Sequence, residues 1–355
     1  MPNAQCKRDR SRPFCALCVL HCAFQVTFFS DLVWAQSDGG KLLDAAAEID
    51  VTGGYSTEGV RAISAQARLF GEAKGGMRFY LEGTWTEVGS AESDAFGSAF
   101  PYHADVPRPM EMYAEKMFRP GGYVAGVRVG RYRTPFGIYG RGDHAYSGFL
   151  RAPLIRYEDY FALSNSFLEG GVDVVFGRPA LNMETSLGIP QDPIDARRRT
   201  GLDWVVRGQV FRGPFIIGAS YIRTRPARTR SFARGDTTFA GIDLRWMHEG
   251  VNVRGEWITG TPFDGTSTDG WYVDGIVHKP AMGPVTAVVR VERLDYTAGR
   301  FSFFPRRLTA GARVVLLRSL VAHVNAVQQT GLPESDHEHA LDVALTYTLR
   351  LGSPQ

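Results

Sequence analysis

The chain has 355 residues, with 40 Lys and Arg against 37 Asp and Glu, and its formal net charge is +3. This near balance argues against a nucleic-acid-binding protein, which would carry a clear basic excess. The four cysteines stand at positions 6, 15, 18 and 22. The rest of the chain therefore offers no disulfide framework and no cysteine-based zinc or redox site, and no pattern in it predicts a cofactor.

The N-terminal segment has the composition of an export signal. Its basic residues come first, at Lys7, Arg8, Arg10 and Arg12, and a mostly apolar run follows over residues 13–34. Val33 and Ala35 place small residues at the two positions that a signal peptidase reads. The sequence therefore predicts a signal peptide over residues 1–35. The alternative is an uncleaved membrane anchor, although polar residues interrupt the apolar run.

Residues 36–355 show the period-two alternation that is typical of β-strands. The last run is the clearest, because apolar residues occupy every odd position from Leu341 to Leu351, with polar or small residues between them. No apolar run in this part approaches the roughly 18 residues of a membrane helix, whereas a membrane-spanning strand needs only about 9–11 alternating residues.

Sixteen strands are predicted from this alternation and from the Gly, Pro and charged residues between the runs. They are 47–55, 60–71, 77–87, 109–118, 122–132, 166–177, 181–189, 201–212, 215–224, 238–247, 251–259, 270–278, 285–294, 307–317, 320–329 and 340–351.

The connections between these strands fall into two classes. Those after even-numbered strands are mostly tight turns, and those after odd-numbered strands are mostly longer: 88–108, 133–165, 190–200, 225–237, 260–269, 295–306 and 330–339. Tight turns at one end and long loops at the other are typical of outer-membrane barrels, with both termini on the periplasmic side. A propeller or a sandwich has no reason to separate its loops in this way. We therefore predict an all-β fold, a transmembrane antiparallel β-barrel of about 16 strands formed by residues 36–355.

One segment at the end of the fifth strand carries a family resemblance. Residues 128–141 read RVGRYRTPFGIYGR. This segment resembles the strand-to-loop motif of the phosphate-selective porin O/P family. The matching positions are Gly130, Arg131, Tyr132, Arg133, Thr134, Pro135, Phe136 and Gly137. The resemblance implies a sixteen-stranded trimeric porin that passes anions such as phosphate.

Side-chain alternation assigns a set of charges to the interior of the barrel. Its arginines are Arg68, Arg78, Arg128, Arg207, Arg245, Arg254, Arg290, Arg313 and Arg350. Its acids are Glu48, Asp50, Glu82, Glu111, Glu115, Glu169, Asp173, Glu184, Asp203, Asp243, Glu256, Asp274, Glu292 and Asp342. Because acids outnumber arginines, the wall alone does not predict anion selectivity. The arginines either line a pore or form cross-strand ion pairs that hold the barrel together.

The predicted loop over residues 133–165 is the longest connection of the barrel. The resemblance implies that this loop folds inward and narrows the pore, and Pro135 ends the strand because it cannot continue a central one. The residues then predicted to face the constriction and bind anions are Arg131, Arg133, Arg141, Arg151 and Arg156. The alternative is an ordinary external loop that covers a surface.

Further arginines cluster in other long loops, at 197–199, 223–234 and 300–307. A basic mouth concentrates anions, and the same charges would equally attract lipopolysaccharide head groups. Together these patterns predict an outer-membrane channel for passive diffusion of small solutes, with anions preferred, that contacts outer-membrane lipid. The family resemblance further implies that it forms a homotrimer.

Two other functions remain open on sequence grounds. One is a structural barrel without selective transport. The other is an enzyme embedded in the barrel, because His323 and Asn325 share one face of a strand, although no serine stands at a matching spacing.

Overall fold

The computed structural model describes residues 43–73, 75–88, 95–97, 107–119, 121–138, 143–156, 168–190, 201–226, 237–262, 266–331 and 339–352. Within these ranges, no helix is long and apolar enough to cross a membrane. The predicted signal peptide over 1–35, Arg141 and the loop arginines at 197–199 and 228–234 lie outside the described residues.

The described chain is made almost entirely of strands. They are β1 Leu43–Ser56, β2 Arg61–Ala73, β3 Met77–Val88, β4 Arg108–Phe118, β5 Val124–Arg133, β6 Leu168–Arg178, β7 Leu181–Pro190, β8 Gly201–Arg212, β9 Phe215–Pro226, β10 Thr237–His248, β11 Val251–Thr261, β12 Thr266–Val277, β13 Val285–Ala298, β14 Phe301–Phe303, β15 Arg306–Leu317, β16 Leu320–Thr330 and β17 His339–Leu351. A short helix, α1, spans Asp143–Ser147, and single 3₁₀ turns span Leu154–Arg156 and Pro280–Met282.

The strands form one antiparallel sheet that closes on itself. Long strands pair with their neighbours in the chain, and β1 pairs with β17 from Ala47 opposite Leu351 to Ser56 opposite Asp342. β14 is a three-residue addition to the end of β13, which pairs directly with β15, so the closed barrel has 16 strands. Closure leaves no sheet edge with unpaired backbone groups.

The sixteen predicted strands are confirmed, and the differences lie at their ends. β1 begins at Leu43 instead of 47, β12 begins at Thr266 instead of 270, and β13 ends at Ala298 instead of 294. The added residues are mostly polar or small, so the apolar alternation does not mark them, yet their backbones complete the ladder. β14 was not predicted, because its three residues fall inside the predicted connection 295–306.

The two faces of the sheet differ as the alternation predicts. In β17, Leu341, Leu345 and Leu349 are exposed, whereas Asp342 and Ala344 between them are fully buried. Apolar side chains therefore form the outer face, and charged and polar side chains line the interior. A barrel of sixteen strands encloses a water-filled interior, so the contents of that interior decide what can pass.

Candidate functional site, a loop folded into the barrel

The chain leaves the wall after β5 through a segment that needs glycine at two positions. Gly130 has a φ of +131°, and a Cβ there would overlap the Met112 carbonyl on β4. Gly137 has a φ of +65°, in the left-handed region that glycine adopts at little cost. A Cβ at Gly137 would collide with the Glu256 carboxylate. The loop backbone therefore lies directly against the inner wall of β11.

The segment that follows β5 runs inward. Thr134, Pro135 and Phe136 are all buried. The Gly137 N–H donates to Ser220 Oγ of β9 at 3.0 Å, and Arg245 Nη2 of β10 donates to the Ile138 carbonyl oxygen at 3.2 Å. These contacts place the TPFG segment inside the barrel, against β9 and β10, four and five strands away from the strand from which it leaves.

Apolar side chains seat the loop in that wall. Phe136, Ala152, Leu154 and Ile155 share one buried cluster with Val205, Ile222, Phe239, Ile258, Tyr272, Leu294, Tyr296 and Phe303. Two wall glycines make room for the loop. A Cβ on Gly241 would lie 3.1 Å from the Phe136 ring, and a Cβ on Gly270 would overlap the Ile155 side chain. Close packing of this kind fixes the loop position, because displaced side chains would leave cavities.

Two loop arginines form buried ion pairs with the wall. Arg151 Nε donates to Asp342 Oδ2 at 2.7 Å, and its Nη2 donates to Glu58 Oε1 at 2.8 Å. Arg156 Nη2 and Nε donate to the two Glu256 carboxylate oxygens at 2.5 and 3.1 Å. Arg151 and Arg156 are each only 2% exposed. These two residues, predicted to face the constriction, instead bind wall carboxylates, because a buried guanidinium needs a charged partner.

Wall side chains also bind the loop backbone. The Leu154 N–H donates to Glu292 Oε2 at 2.6 Å, and Arg307, which donates to the other Glu292 oxygen at 2.7 Å, also donates to the Ala152 carbonyl. The Arg151 carbonyl accepts from Arg290 Nη1 at 3.0 Å. A loop with so many satisfied polar groups is held in one position, since each freed buried group would cost about 1–3 kcal/mol.

His323 and Asn325, the two residues on which the alternative of a barrel-embedded enzyme rested, lie beneath this loop. Asn325 Oδ1 accepts from the Leu150 N–H at 2.7 Å, and its Nδ2 donates to the Gly148 carbonyl at 3.2 Å. The His323 ring lies 5.6 Å from the His144 ring of α1, centroid to centroid. Both His323 and Asn325 are fully buried. In this structure the Asn325 amide serves to anchor the loop.

Of the nine predicted interior arginines, Arg350 pairs with Glu48 at the end of β17, and the other eight lie on the interior face along the wall, most of them in ion pairs. The pairs are Arg68 with Glu48 and Asp50 at 2.6 and 2.7 Å, Arg78 with Glu72 at 3.3 Å, Arg128 with Glu115 and Asp173 at 3.3 Å each, Arg207 with Asp243 at 2.9 Å, and Arg254 and Arg290 with Asp274 at 2.8 and 2.6 Å. Arg245 binds the loop carbonyl of Ile138, and Arg313 lies opposite His323 in the ladder. Cross-strand pairing is therefore a main use of these charges.

The two arginines at the end of β5 take different positions. Arg131 is the ladder partner of Met112, which is 45% exposed on the outer face. Directly opposed residues lie on the same face, so Arg131 does not share the interior face of Arg128. Arg133 has the same parity as Arg131, but it stands at the strand end, where its long side chain brings Nη2 to 3.7 Å from Oε1 of Glu111, an acid of the interior face. Of the arginines predicted to form the constriction, Arg133 is the one that remains accessible among the described residues.

The contacts of the loop run from β8 to β17 and on to Glu58 and Val60 between β1 and β2 and Ala62 of β2. The wall from β3 to β7 carries the accessible charges. The side chains of Arg78 and Arg133 are 49% and 38% exposed, whereas those of Glu115 and Glu184 are 17% exposed. A cavity of about 280 Å³ lies against this wall, bordered by Arg78, Glu115, Arg128, Asp173 and Glu184 among others. Open space in the interior therefore lies on the side of β3 to β7.

Sequence reasoning missed the residues that receive the loop. Val205, Ile222, Ile258 and Leu294 are apolar yet point inward, and Gly241 and Gly270 accept loop side chains. A signal was present, because these apolar residues occupy interior positions of β8 to β13, where the alternation predicts polar residues. Such a break in one face of consecutive strands indicates a surface that another segment covers.

No known protein family matches this sequence, and no curated protein does. Solved structures do match the fold. OmpF of Salmonella typhi, in a complex with daunomycin, has a TM-score of 0.61 at 10% identity, over 86% of this chain and 97% of that one. OmpT, an outer membrane protein of Vibrio cholerae, has a TM-score of 0.58 at 11% identity, over 89% and 99%. A porin has a TM-score of 0.53 at 11% identity, over 86% and 100%. The chain therefore has the fold of a sixteen-stranded porin.

Proposed function

We propose that this protein is an outer-membrane porin, a water-filled channel for the passive diffusion of small solutes with a weak preference for anions. The observation that carries this proposal is the loop after β5, in its described segments 134–138 and 143–156. These segments lie inside a closed barrel and are fixed to one side of it by ion pairs such as Arg156 with Glu256. A fixed inward loop narrows the bore without closing it, which is what a selective diffusion channel requires.

The preference for anions rests on which interior charges remain accessible. The buried loop arginines Arg151 and Arg156 neutralise the wall acids Asp342, Glu58 and Glu256. On the free side, Arg133 is more exposed than Glu111 and Arg78 is more exposed than Glu115, although Glu72 beside Arg78 is itself 54% exposed. An arginine edge on a narrow aqueous path attracts anions. Arg223 and Arg225 at the end of β9, with the loop arginines Arg228 and Arg230, add basic charge at the mouth.

Several finer features belong to the same proposal. The Gly130 and Thr134–Gly137 motif supports membership of the phosphate-selective porin O/P family, and with it phosphate as one of the permeating anions and a homotrimeric assembly. Export by a signal peptide over residues 1–35, and contact between the arginines of the mouth and lipopolysaccharide, complete the proposed setting of the channel.

The decisive experiment is the reversal potential of purified protein in a planar lipid bilayer under a salt gradient. We expect step-like channel openings and a reversal potential that indicates weak anion preference. Replacement of Arg223, Arg225, Arg228 and Arg230 by Gln should reduce that preference more at 0.01 M salt than at 1 M, because the Debye length falls from about 30 Å to about 3 Å. A protein without channel openings would be a structural barrel, and cation preference would contradict the proposed selectivity.

A further inference from the structure

A compact patch of cations and aromatic rings lies on the outer face of the barrel, at the end with the tight turns. It consists of Lys116 and Phe118 of β4, Tyr123 before β5, and Phe176 and Arg178 of β6, and we call it the β4–β6 patch. Its three aromatic residues are exposed by 49%, 39% and 49%, in chain order. Phe176 and Arg178 share the outward face of β6 with the exposed Val174.

The strand register gives this patch a groove. Ala125 of β5 is the ladder partner of Phe118 on one side and of Phe176 on the other. Neighbouring strands lie about 4.8 Å apart, so a small side chain stands between two exposed rings. The groove continues along β5 to Val127, which is 39% exposed. Its width and apolar floor suit a single hydrocarbon chain.

Lys116 reaches from the apolar face toward the turns. Its ladder partner is the exposed Val127, which places the lysine on the outer face. The Lys116 Nζ lies 6.0 Å from the Phe118 ring centroid and 3.8 Å from the position that a Cβ on Gly76 would take, in the turn between β2 and β3. A lysine on an apolar face extends in this way to bring its ammonium group to the polar boundary.

Arg178 occupies the other side of the groove. Its guanidinium carbon lies 5.4 Å from the Tyr123 ring centroid, and Tyr123 stacks on Phe176 with centroids 5.5 Å apart. The exposed Arg119 adds a third cation beside Phe118. In the part of the chain that the structure describes, none of these three cations has a carboxylate within ion-pair distance. The nearby acids Glu115 and Asp173 face the interior, where they pair with Arg128.

We propose that the β4–β6 patch binds an anionic phospholipid, with its phosphate between Lys116 and Arg178 and an acyl chain along Ala125 and Val127. Cations at the depth of the head groups attract anionic lipid, and aromatic side chains concentrate at that same depth. This inference rests on the membrane location in the proposed function. It assigns the lipid contact to the tight-turn end, away from the arginines of the long loops.

The test is lipid selection by full-length protein in nanodiscs that contain phosphatidylcholine and phosphatidylglycerol. Retained lipid is counted by native mass spectrometry after release from the disc. The variant carries Lys116→Gln and Arg178→Gln. The matched control carries Arg212→Gln and Arg318→Gln, which remove two exposed cations from other tight turns of the same end.

We expect the unmodified protein and the control to retain phosphatidylglycerol preferentially, and the variant to lose that preference by about tenfold or more, since each cation near the surface contributes about fivefold. Equal preference in the variant and the unmodified protein would overturn the proposal. An equal loss in the control would also overturn it, because the effect would then be general charge at this end. Displacement of the lipid by inorganic phosphate at low millimolar concentration would assign the cations to a soluble anion instead.

Conductance separates this proposal from the proposed function. The variant should conduct like the unmodified protein in a planar bilayer, because Lys116 and Arg178 lie on the outer face. Lipid selection without any channel activity would support lipid binding at the β4–β6 patch and contradict the proposed channel function. Channel activity without lipid selection would support the channel function and contradict lipid binding at the patch.

Discussion

Arg156 of the inward loop and Glu256 of β11 form a two-pronged ion pair, with Nη2 to Oε1 at 2.5 Å and Nε to Oε2 at 3.1 Å. The same guanidinium donates to the Phe136 carbonyl at 2.9 Å, which ties both ends of the loop segment to one wall residue. The pair is buried, so its removal affects more than one contact. This pair therefore joins the loop, the motif segment and the wall at one point.

Glu256→Gln should release the loop, because it leaves the Arg156 charge buried without its partner, at a cost of about 3–5 kcal/mol. We expect faster limited proteolysis of the loop and larger current fluctuations, with the barrel still folded. Arg293→Gln is the control, since Arg293 pairs with Asp295 in an exposed position. Proteolysis and current traces of Glu256→Gln that match those of this control would show that the pair does not hold the loop.

Deletion of residues 142–160 should raise single-channel conductance and shift the selectivity toward cations. The described part of this segment, residues 143–156, lies outside the barrel ladders, so the barrel should still resist heat in detergent. The deletion removes Arg151 and Arg156, which exposes Asp342, Glu58 and Glu256 to the pore. The double variant Arg151→Gln with Arg156→Gln distinguishes the effect of the freed acids from the effect of a wider bore, because it frees the acids without removing the loop. Unchanged conductance in the deletion variant would place the loop outside the conducting path.

Arg133→Gln should lower anion preference without a loss of stability. Its side chain is 38% exposed and only 3.7 Å from Glu111, so the change removes an accessible positive charge and leaves an acid. The reversal potential should shift toward cation preference, more at low salt than at high salt. Arg350→Gln serves as the control, because Arg350 pairs with Glu48 near the tight-turn end, away from the loop. Equal shifts of the reversal potential in both variants would show that Arg133 contributes no more to selectivity than Arg350 does.

Gly137→Ala should disturb the loop, whereas Gly208→Ala should be silent. A Cβ at Gly137 would collide with Glu256 and Arg156, while a Cβ at Gly208 has open space within 4 Å. The left-handed backbone at Gly137 adds about 1–2 kcal/mol for a residue with a side chain. The measurement is the rate of loop proteolysis together with the conductance of each variant. A normal loop in Gly137→Ala would show that the backbone at this turn can shift at little cost.

The mature protein should begin at Gln36 and fractionate with outer-membrane lipopolysaccharide. This expectation follows from the basic start, the apolar run and the small residues at Val33 and Ala35. N-terminal sequencing of detergent-extracted protein gives the answer. A mature chain that still carries Cys15 and Cys18, or that sediments with inner-membrane markers, would instead indicate an anchor.

Much of the barrel could be read from the sequence because strands of this kind follow a local rule. In β17, the alternation of apolar Leu341 and Leu345 with polar Asp342 predicts which face of the strand points outward. Neighbouring strands joined by tight turns can pair only in the order in which they follow one another in the chain. The start of β12 and the end of β13 were not predicted, because Thr266 and Ala298 extend the ladder through backbone hydrogen bonds, which leave no pattern in the side chains.

The position of the loop followed a different logic. The Pro135 stop and the length of the connection indicate a loop, and the family resemblance implies its inward path. Neither could show that Arg151 and Arg156 bind Asp342 and Glu256, because those partners lie 191 and 100 residues away in the chain. For the same reason, the inward-facing Val205 and Ile258 were not recognised as the seat of the loop.

By itself, therefore, the sequence determined the sixteen strands, the two faces of the wall and the residue types that line the interior, because period-two alternation is a local property. Only the tertiary structure decided which interior charges remain accessible. Arg151 and Arg133 are the same residue type in the same loop region, yet one is buried on a carboxylate and the other is exposed. The difference arises from barrel closure, which brings distant acids to one loop residue and leaves the other beside open space.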